Sequence, residues 1–185
     1  MVKDALNDAE DRMKGAIIAL EDDLSRIRTG RANPSLVEKL AIEYYGMPTP
    51  LQQLASISAP EPRSILIRPF DASALKNIEK AILASDLGLT PNNDGKNIRL
   101  NIPALTEERR RDLGKVVHNR VEQARVAVRN IRRDILRDLH DFEKEKLISE
   151  DEMKRGEEEM QKLTDRHIEE INQHGELKEK EIMEI

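Results

Sequence analysis

Arginine is the residue type in this sequence whose number and spacing best suit a chemical task, and that task is anion binding. At about 100° per residue along an α-helix, with Arg125 at zero, Arg111 and Arg129 fall at about 40°, Lys115 and Arg133 at about 80°, and Arg132 at about −20°. They form one stripe. The apolar residues of the same segment fall at about 240–320°, so the stripe faces solvent or a partner. Between Arg109 and Arg133, nine Arg or Lys residues stand against only Asp112 and Glu122. Guanidinium groups at helical spacing can grip successive phosphates with paired hydrogen bonds. Residues 150–185 hold six basic and thirteen acidic side chains, so rival readings stay open: the stripe pairs internally with that acidic segment, or it is an ordinary solvated face. Aromatic residues make up 2% of the chain, too few to stack many single-stranded bases. A nucleic-acid partner would therefore be met through shape and phosphates.

Signals for bond-making chemistry are weak. There is no cysteine, which excludes disulfides, thiolate metal sites and a cysteine nucleophile. His118 falls at about 20° on the basic stripe, as an aid to anion contact or as a solvated side chain. His167 and His174 stand seven residues apart, too far for two metal ligands on adjacent helical turns, and read as seam or surface residues of a bundle. The run Gly88-Leu-Thr-Pro-Asn-Asn-Asp-Gly95-Lys96-Asn97 superficially suggests a phosphate loop. It has six residues between its glycines and Asn after the lysine, where that loop needs four and Ser or Thr. It reads as a turn. The expectation is a protein with no catalytic centre, no metal and no cofactor.

The elements that must carry the stripe follow from periodicity. All eight prolines lie between Pro34 and Pro103, and Tyr44, Tyr45 and Phe70 lie there too. Before that segment, Leu6, Met13, Ile17, Leu20, Leu24 and Ile27 keep the spacing of an amphipathic helix that stops near Thr29-Gly30. After it, Thr106 can cap a long helix with Glu107 and Glu108 in its first turn. Leu113, Val117, Val121, Ala124, Val128, Ile131, Ile135, Leu139 and Phe142 run along that helix for about 60 Å. Ser149 and Glu152 suit a capping box, with Ile148 and Met153 as its hydrophobic staple, for a third helix striped by Met153, Met160, Leu163, His167 and Ile171. Three such helices need one another, which predicts an antiparallel three-helix bundle; a solitary coiled coil is the alternative. In the middle, Leu40-Ile42-Tyr44 and Ile98-Leu100-Ile102 alternate as strands, as does Ser64 to Arg68. Asp71 to Ser85 has helical spacing, and Asn93-Asp94-Gly95 marks a turn.

The fold class is therefore α+β: a bundle of residues 1–29 and 106–185 with a small domain, 31–104, inserted between its first two helices. The paired crossings near 29–33 and 102–106 form a candidate hinge at Thr29, Gly30, Leu105 and Thr106. The net charge of −5 opposes non-specific polyanion binding by the whole surface. No apolar run long enough for a membrane span and no signal peptide is visible, which predicts a soluble cytoplasmic protein with no membrane partner.

The segments Ile27-Arg-Thr-Gly-Arg-Ala-Asn-Pro-Ser35, Glu43-Tyr-Tyr-Gly-Met-Pro-Thr-Pro-Leu51, Ala84-Ser-Asp-Leu-Gly-Leu89 and Ala124-Arg-Val-Ala-Val-Arg-Asn-Ile-Arg-Arg-Asp134 closely resemble the ribosome recycling factor family, and the resemblance extends along nearly the whole chain. It implies an L-shaped monomer that approximates a transfer RNA in outline, with the bundle as long arm and a β/α/β domain as short arm. The implied partners are the post-termination ribosome, chiefly its large-subunit rRNA, and elongation factor G, which hydrolyses the GTP as the subunits separate. The family's rRNA-contacting positions correspond to Arg110, Arg129, Arg132 and Arg133, with Arg125 in the same segment. Arg28 and Arg31 flank the first crossing, as rRNA contacts or as ordering residues of the inter-domain corner. Tyr44 to Leu51 either faces a partner or orders a proline-rich turn. Two rival functions remain: a helical scaffold for an acidic protein partner, and a small hydrolase using scattered acids.

Overall fold

The computed structural model describes residues 1–184, so Ile185, the last residue of the expected bundle segment, lies outside the described residues. The elements in chain order are α1 (Val2–Ser25), α2 (Ser35–Glu38), β1 (Ala41–Tyr44), β2 (Met47–Pro50), α3 (Leu51–Leu54), β3 (Ala55–Glu61), β4 (Ser64–Pro69), a 3-10 turn (Ala72–Ala74), α4 (Leu75–Ala84), β5 (Pro91–Asn93), β6 (Ile98–Asn101), α5 (Glu107–Lys144) and α6 (Glu150–Met183). They divide into two compact units, one of Met1–Arg28 with Glu107–Glu184 and one of Thr29–Thr106.

The first unit packs α1, α5 and α6 on one another. α1 buries Ala9, Met13, Ile17, Leu20 and Leu24. It ends at Ser25, short of the expected Thr29-Gly30 stop, because Ser25 Oγ donates to the Asp22 carbonyl at 2.7 Å and Ile27 N turns back to the Leu24 carbonyl at 3.1 Å. Side-chain and tightened backbone bonds of this kind satisfy carbonyls that a continuing helix would use. Along α5, Leu113, Val117, Val121, Ala124, Val128, Ile131, Ile135 and Leu139 are all buried, the heptad-like row read from the sequence. The turn into α6 is closed by the expected capping box: Glu152 N donates to Ser149 Oγ at 3.2 Å, and Ser149 N donates to Glu152 Oε2 at 2.8 Å. α6 packs differently from α1 and α5. Its buried face includes Gly156, Thr164, His167 and Gly175 beside Met160, Ile171 and Ile182, so close backbone approach replaces much of the apolar bulk.

The second unit has its own core. α4 buries Leu75, Ile78 and Ile82 with Ile42, Ile65, Ile67, Ile98 and Leu100. The family resemblance implied a β/α/β domain and the residue pattern a small α+β unit; its sheets are antiparallel throughout, a β1-β2 hairpin and a sheet ordered β3-β4-β6-β5. Strands β2, β3 and β5 were invisible to alternation because β2 and β5 contain Pro48, Pro50 and Pro91 and β3 is mostly exposed. Proline is tolerated in strands at such sheet edges. Tyr45 and Gly46 turn the β1-β2 hairpin with φ of 49° and 75°, the left-handed pair that a tight two-residue turn requires. Asp94 and Gly95 fulfil the predicted turn before β6, with Asp94 Oδ1 accepting from Lys96 N and Asn97 N at 2.8 and 2.6 Å.

Candidate nucleic-acid interface

The basic stripe lies on the side of α5 away from its buried row, and its members differ in what holds them. Arg129 and Arg133 are exposed, whereas Arg125 and Arg132 are half-buried. Arg125 donates through Nε and Nη2 to Asn172 Oδ1 of α6, at 2.9 and 2.5 Å, and through Nη1 to Glu122 Oε2 at 3.1 Å. Arg129 Nη1 donates to the other oxygen of that carboxylate, Glu122 Oε1, at 3.0 Å. Hydrogen bonds from Arg125 and then Arg129 hold the Glu122 carboxyl below the usual glutamate range. Arg133 donates to Asn130 of its own helix. Arg132 makes no hydrogen bond or ion pair among the described residues, and its Nε is buried.

None of these four arginines pairs with a carboxylate of α6. Two acids of that helix pair within it, Glu150 with Lys154 at 2.7 Å and Glu181 with Lys178 at 3.1 Å, and Glu157 lies 3.2 Å from His140 Nε2 of α5. The internal ladder is therefore absent at these positions. Arg129, Arg132, Arg133 and Arg137 instead line an open groove together with Asn130 and His140. Planar donors repeated along one exposed helix face suit phosphate oxygens.

Arg110 stands apart from this face. The same helical rotation puts it at about 300°, within the apolar seam. It is half-buried, its Nη1 donates to the Met183 carbonyl at 3.3 Å, and its Nε is buried without a partner. A cation there meets the negative end of the α6 dipole. Arg28 and Arg31 are exposed, and neither side chain is bonded among the described residues. At the candidate hinge, Thr29 and Gly30 are buried, Leu105 is half-buried and Thr106 exposed. Gly30 has φ of +75°, and a Cβ on it would sit 3.1 Å from Leu105 Cγ and 3.5 Å from the Pro103 carbonyl oxygen. The two crossings thus touch each other here.

The four histidines sit in different surroundings, His140 with its Nε2 3.2 Å from Glu157 Oε1. His118 is exposed. His167 is buried, and its Nδ1 lies 3.3 Å from Glu170 Oε2 without the alignment of a hydrogen bond; His174 Nε2 lies 3.3 Å from Glu21 Oε1 of α1. In the second unit, the Tyr44 hydroxyl donates to Asp71 Oδ2 at 2.9 Å and Asn77 Nδ2 to the Glu43 carbonyl at 2.9 Å, which ties the proline-rich hairpin to the start of α4. Tyr45 and Met47 remain exposed on that hairpin. Two residues of the arginine network escaped sequence reasoning. Glu122 entered only as a counter-charge to the stripe, although its place three residues before Arg125 and seven before Arg129 signals a shared face. Asn172 carried no signal, because its contact depends on how α6 packs.

Comparison with known proteins agrees over the whole chain. The family model described as "Ribosome recycling factor" matches residues 20–183. The ribosome-recycling factors of Syntrophomonas wolfei and Halalkalibacterium halodurans are 57% and 56% identical to this chain, each over 100% of both sequences. A solution structure of the ribosome recycling factor superposes with a TM-score of 0.75 at 45% identity, covering 100% of this chain and 98% of its own. A second neighbour, with a TM-score of 0.64, 48% identity and 98% of each chain covered, comes from models for the T. thermophilus ribosome recycling factor and the E. coli elongation factor G bound to the E. coli post-termination complex. Among the described residues, no helix is long and apolar enough to cross a membrane.

Proposed function

This chain belongs to the ribosome recycling factor family, and from that premise we propose that it binds the post-termination ribosome and, with elongation factor G and GTP, promotes separation of the subunits for another round of translation. The observation that carries the mode of binding is the arginine face of α5, where Arg125 and Arg129 share the one carboxylate of Glu122 and Arg132 is left without a hydrogen-bond or ion-pair partner among the described residues. Arg129, Arg132 and Arg133 grip phosphates of large-subunit rRNA, Arg125 stands behind them, and Arg110 adds to the positive field at the start of the same helix. Arg28 and Arg31 add exposed cations beside the first crossing. The bundle is the anchor; the small unit, carried on the paired crossings at Thr29-Gly30 and Leu105-Thr106, is the part that moves. The chain works in the cytoplasm, where ribosomes are, and catalyses nothing itself: the elongation factor turns over the GTP.

The test compares Arg132→Ala and Arg129→Ala/Arg132→Ala with the parent in thermal unfolding and in ribosome binding across a salt series. Loss of charge-assisted hydrogen bonds weakens affinity by roughly 1–3 kcal/mol. Each lost phosphate contact flattens the plot of log affinity against log salt by at most about one unit. Melting stays near the parent, since Arg129 is exposed and Arg132, though half-buried, makes no hydrogen bond or ion pair among the described residues. Unchanged binding, or a melting loss that accounts for the whole defect, would falsify the assignment of this face to RNA. Measurable GTP turnover by the isolated chain would overturn the non-catalytic part of the reading.

A further inference from the structure

Glu122 is an acid in the middle of a face that binds anions. Simple electrostatics makes it a liability, because a fixed negative charge repels phosphate and its removal tightens binding. Its geometry says otherwise. The two oxygens of one carboxylate are divided between two arginines, Oε2 taking Arg125 at 3.1 Å and Oε1 taking Arg129 at 3.0 Å. The two arginines are not equivalent: Arg125 has 24% of its side chain exposed and Arg129 has 54%. Arg125 is fixed from the other side by the Asn172 side chain, whose Oδ1 accepts from both its Nε and its Nη2. That reach across the bundle depends on Gly175, one turn beyond Asn172, where even a methyl group would lie 2.7 Å from Val121 Cγ2. A chain of contacts therefore runs from the α5·α6 packing through Asn172, Arg125 and Glu122 to the exposed guanidinium of Arg129.

We infer that Glu122 is a positioning residue for anion binding, which locks Arg125 and presents the free donors of Arg129 outward at a fixed place on the helix. A free arginine side chain loses rotamer entropy when it is immobilised. Arg129 surrenders part of that freedom in the unbound protein, so phosphate binding begins from a pre-ordered side chain. Only Nη1 of Arg129 is engaged by Glu122, which leaves its other donors for the ligand. The inference rests on the proposed RNA role of this face and adds a residue of the opposite charge to it.

The experiment reads ribosome affinity and thermal unfolding for Glu122→Gln, Asn172→Ala, Arg129→Ala and Glu122→Gln in an Arg125→Ala/Arg129→Ala background. Positioning requires Glu122→Gln to weaken binding by about tenfold, the equivalent of one charge-assisted hydrogen bond, although it removes a negative charge. Asn172→Ala weakens binding in the same direction with no change of charge. In the background lacking both arginines, Glu122→Gln has no effect or tightens binding, because nothing remains to be positioned. Melting stays close to the parent. Tighter or unchanged binding by Glu122→Gln in the intact protein overturns the inference while leaving the RNA face standing, provided Arg129→Ala weakens binding. If Arg129→Ala leaves affinity untouched, the inference falls, while the RNA reading stands or falls with Arg132→Ala and the Arg129→Ala/Arg132→Ala pair. A defect of Glu122→Gln that persists in the double-arginine background assigns it to structure and also overturns the inference.

Discussion

The Tyr44 hydroxyl and the Asp71 carboxylate make a single hydrogen bond, yet they set the pH window of the hairpin that carries the exposed Tyr45 and Met47. The bond to Asp71, then burial, then the charge of Asp71 push the Tyr44 phenol from 10.0 to about 12. Asp71 is held below its ordinary 3.8, first by the backbone N–H of Ser73, then by the Ser73 hydroxyl and then by Tyr44. A raised phenol pKa contributes stability that is complete below pH 10.0 and is lost as pH climbs toward about 12. A depressed carboxyl pKa contributes stability that is present above 3.8 and is lost as pH falls through the folded value. In a Tyr45→Phe background, phenolate absorbance should report Tyr44 titrating near 12, and Asp71→Asn should return it toward 10.0. An unmoved titration in Asp71→Asn would dismiss the bond. At this scale the sequence was readable in part. The helical wheel separated Arg129 and Arg133 from the seam, but Arg110 was placed by family likeness, and the wheel itself puts it at about 300°, on the seam. The Tyr44–Asp71 bond joins residues 27 positions apart, a separation over which no local rule operates.

The elements differ in how openly their sequences declare them. α5 writes its buried row in Leu, Val and Ile, so its course and its outer face could be read directly. α6 hides three of its seven buried positions in glycine and threonine, which carry no hydropathy signal. Its two buried glycines make a paired prediction. A Cβ at Gly175 would lie 2.7 Å from Val121 Cγ2, a stiff β-branched neighbour buried in the seam. At Gly156 the nearest atoms are Leu139 Cδ1 and Val2 Cγ1, at 3.0 and 3.1 Å, both ends of side chains. Overpacking costs roughly 1–3 kcal/mol, and alanine regains about 1 kcal/mol of helix propensity over glycine. Gly175→Ala should therefore lower stability by up to about 2 kcal/mol net, and Gly156→Ala should be close to neutral. Denaturant unfolding measures both. If the clash with Val121 is the cause, Val121→Ala should cost less in the Gly175→Ala background than in the parent. Additive losses would place the cost elsewhere. The same change should loosen Asn172 from Arg125, so ribosome affinity is expected to fall beyond what the stability loss explains.

For the whole molecule, the question is whether one chain divides anchoring from motion. The arginine face belongs to the unit of residues 1–28 and 107–184, and Gly30 with Leu105 to the unit of residues 29–106, so a change at one can leave the other intact. Gly30 combines two constraints. Its backbone has φ of +75°, a conformation that costs an L-residue roughly 1–2 kcal/mol. Its missing side chain also leaves room for Leu105 Cγ, which a Cβ would meet at 3.1 Å. Gly30→Ala therefore strains one crossing and presses it against the other, while Leu105→Ala on top of it removes the pressure and leaves the strain. If the paired crossings serve as the pivot, Gly30→Ala should slow subunit splitting with elongation factor G while ribosome binding by the bundle stays near the parent value. Leu105→Ala in the same chain should recover part of the splitting rate. Thermal unfolding of each variant separates this outcome from simple loss of the small unit, which would show as an early transition. Binding and splitting that decline in parallel, or a splitting rate that ignores both substitutions, would remove the pivot from these residues and return the mechanical role to the bundle alone.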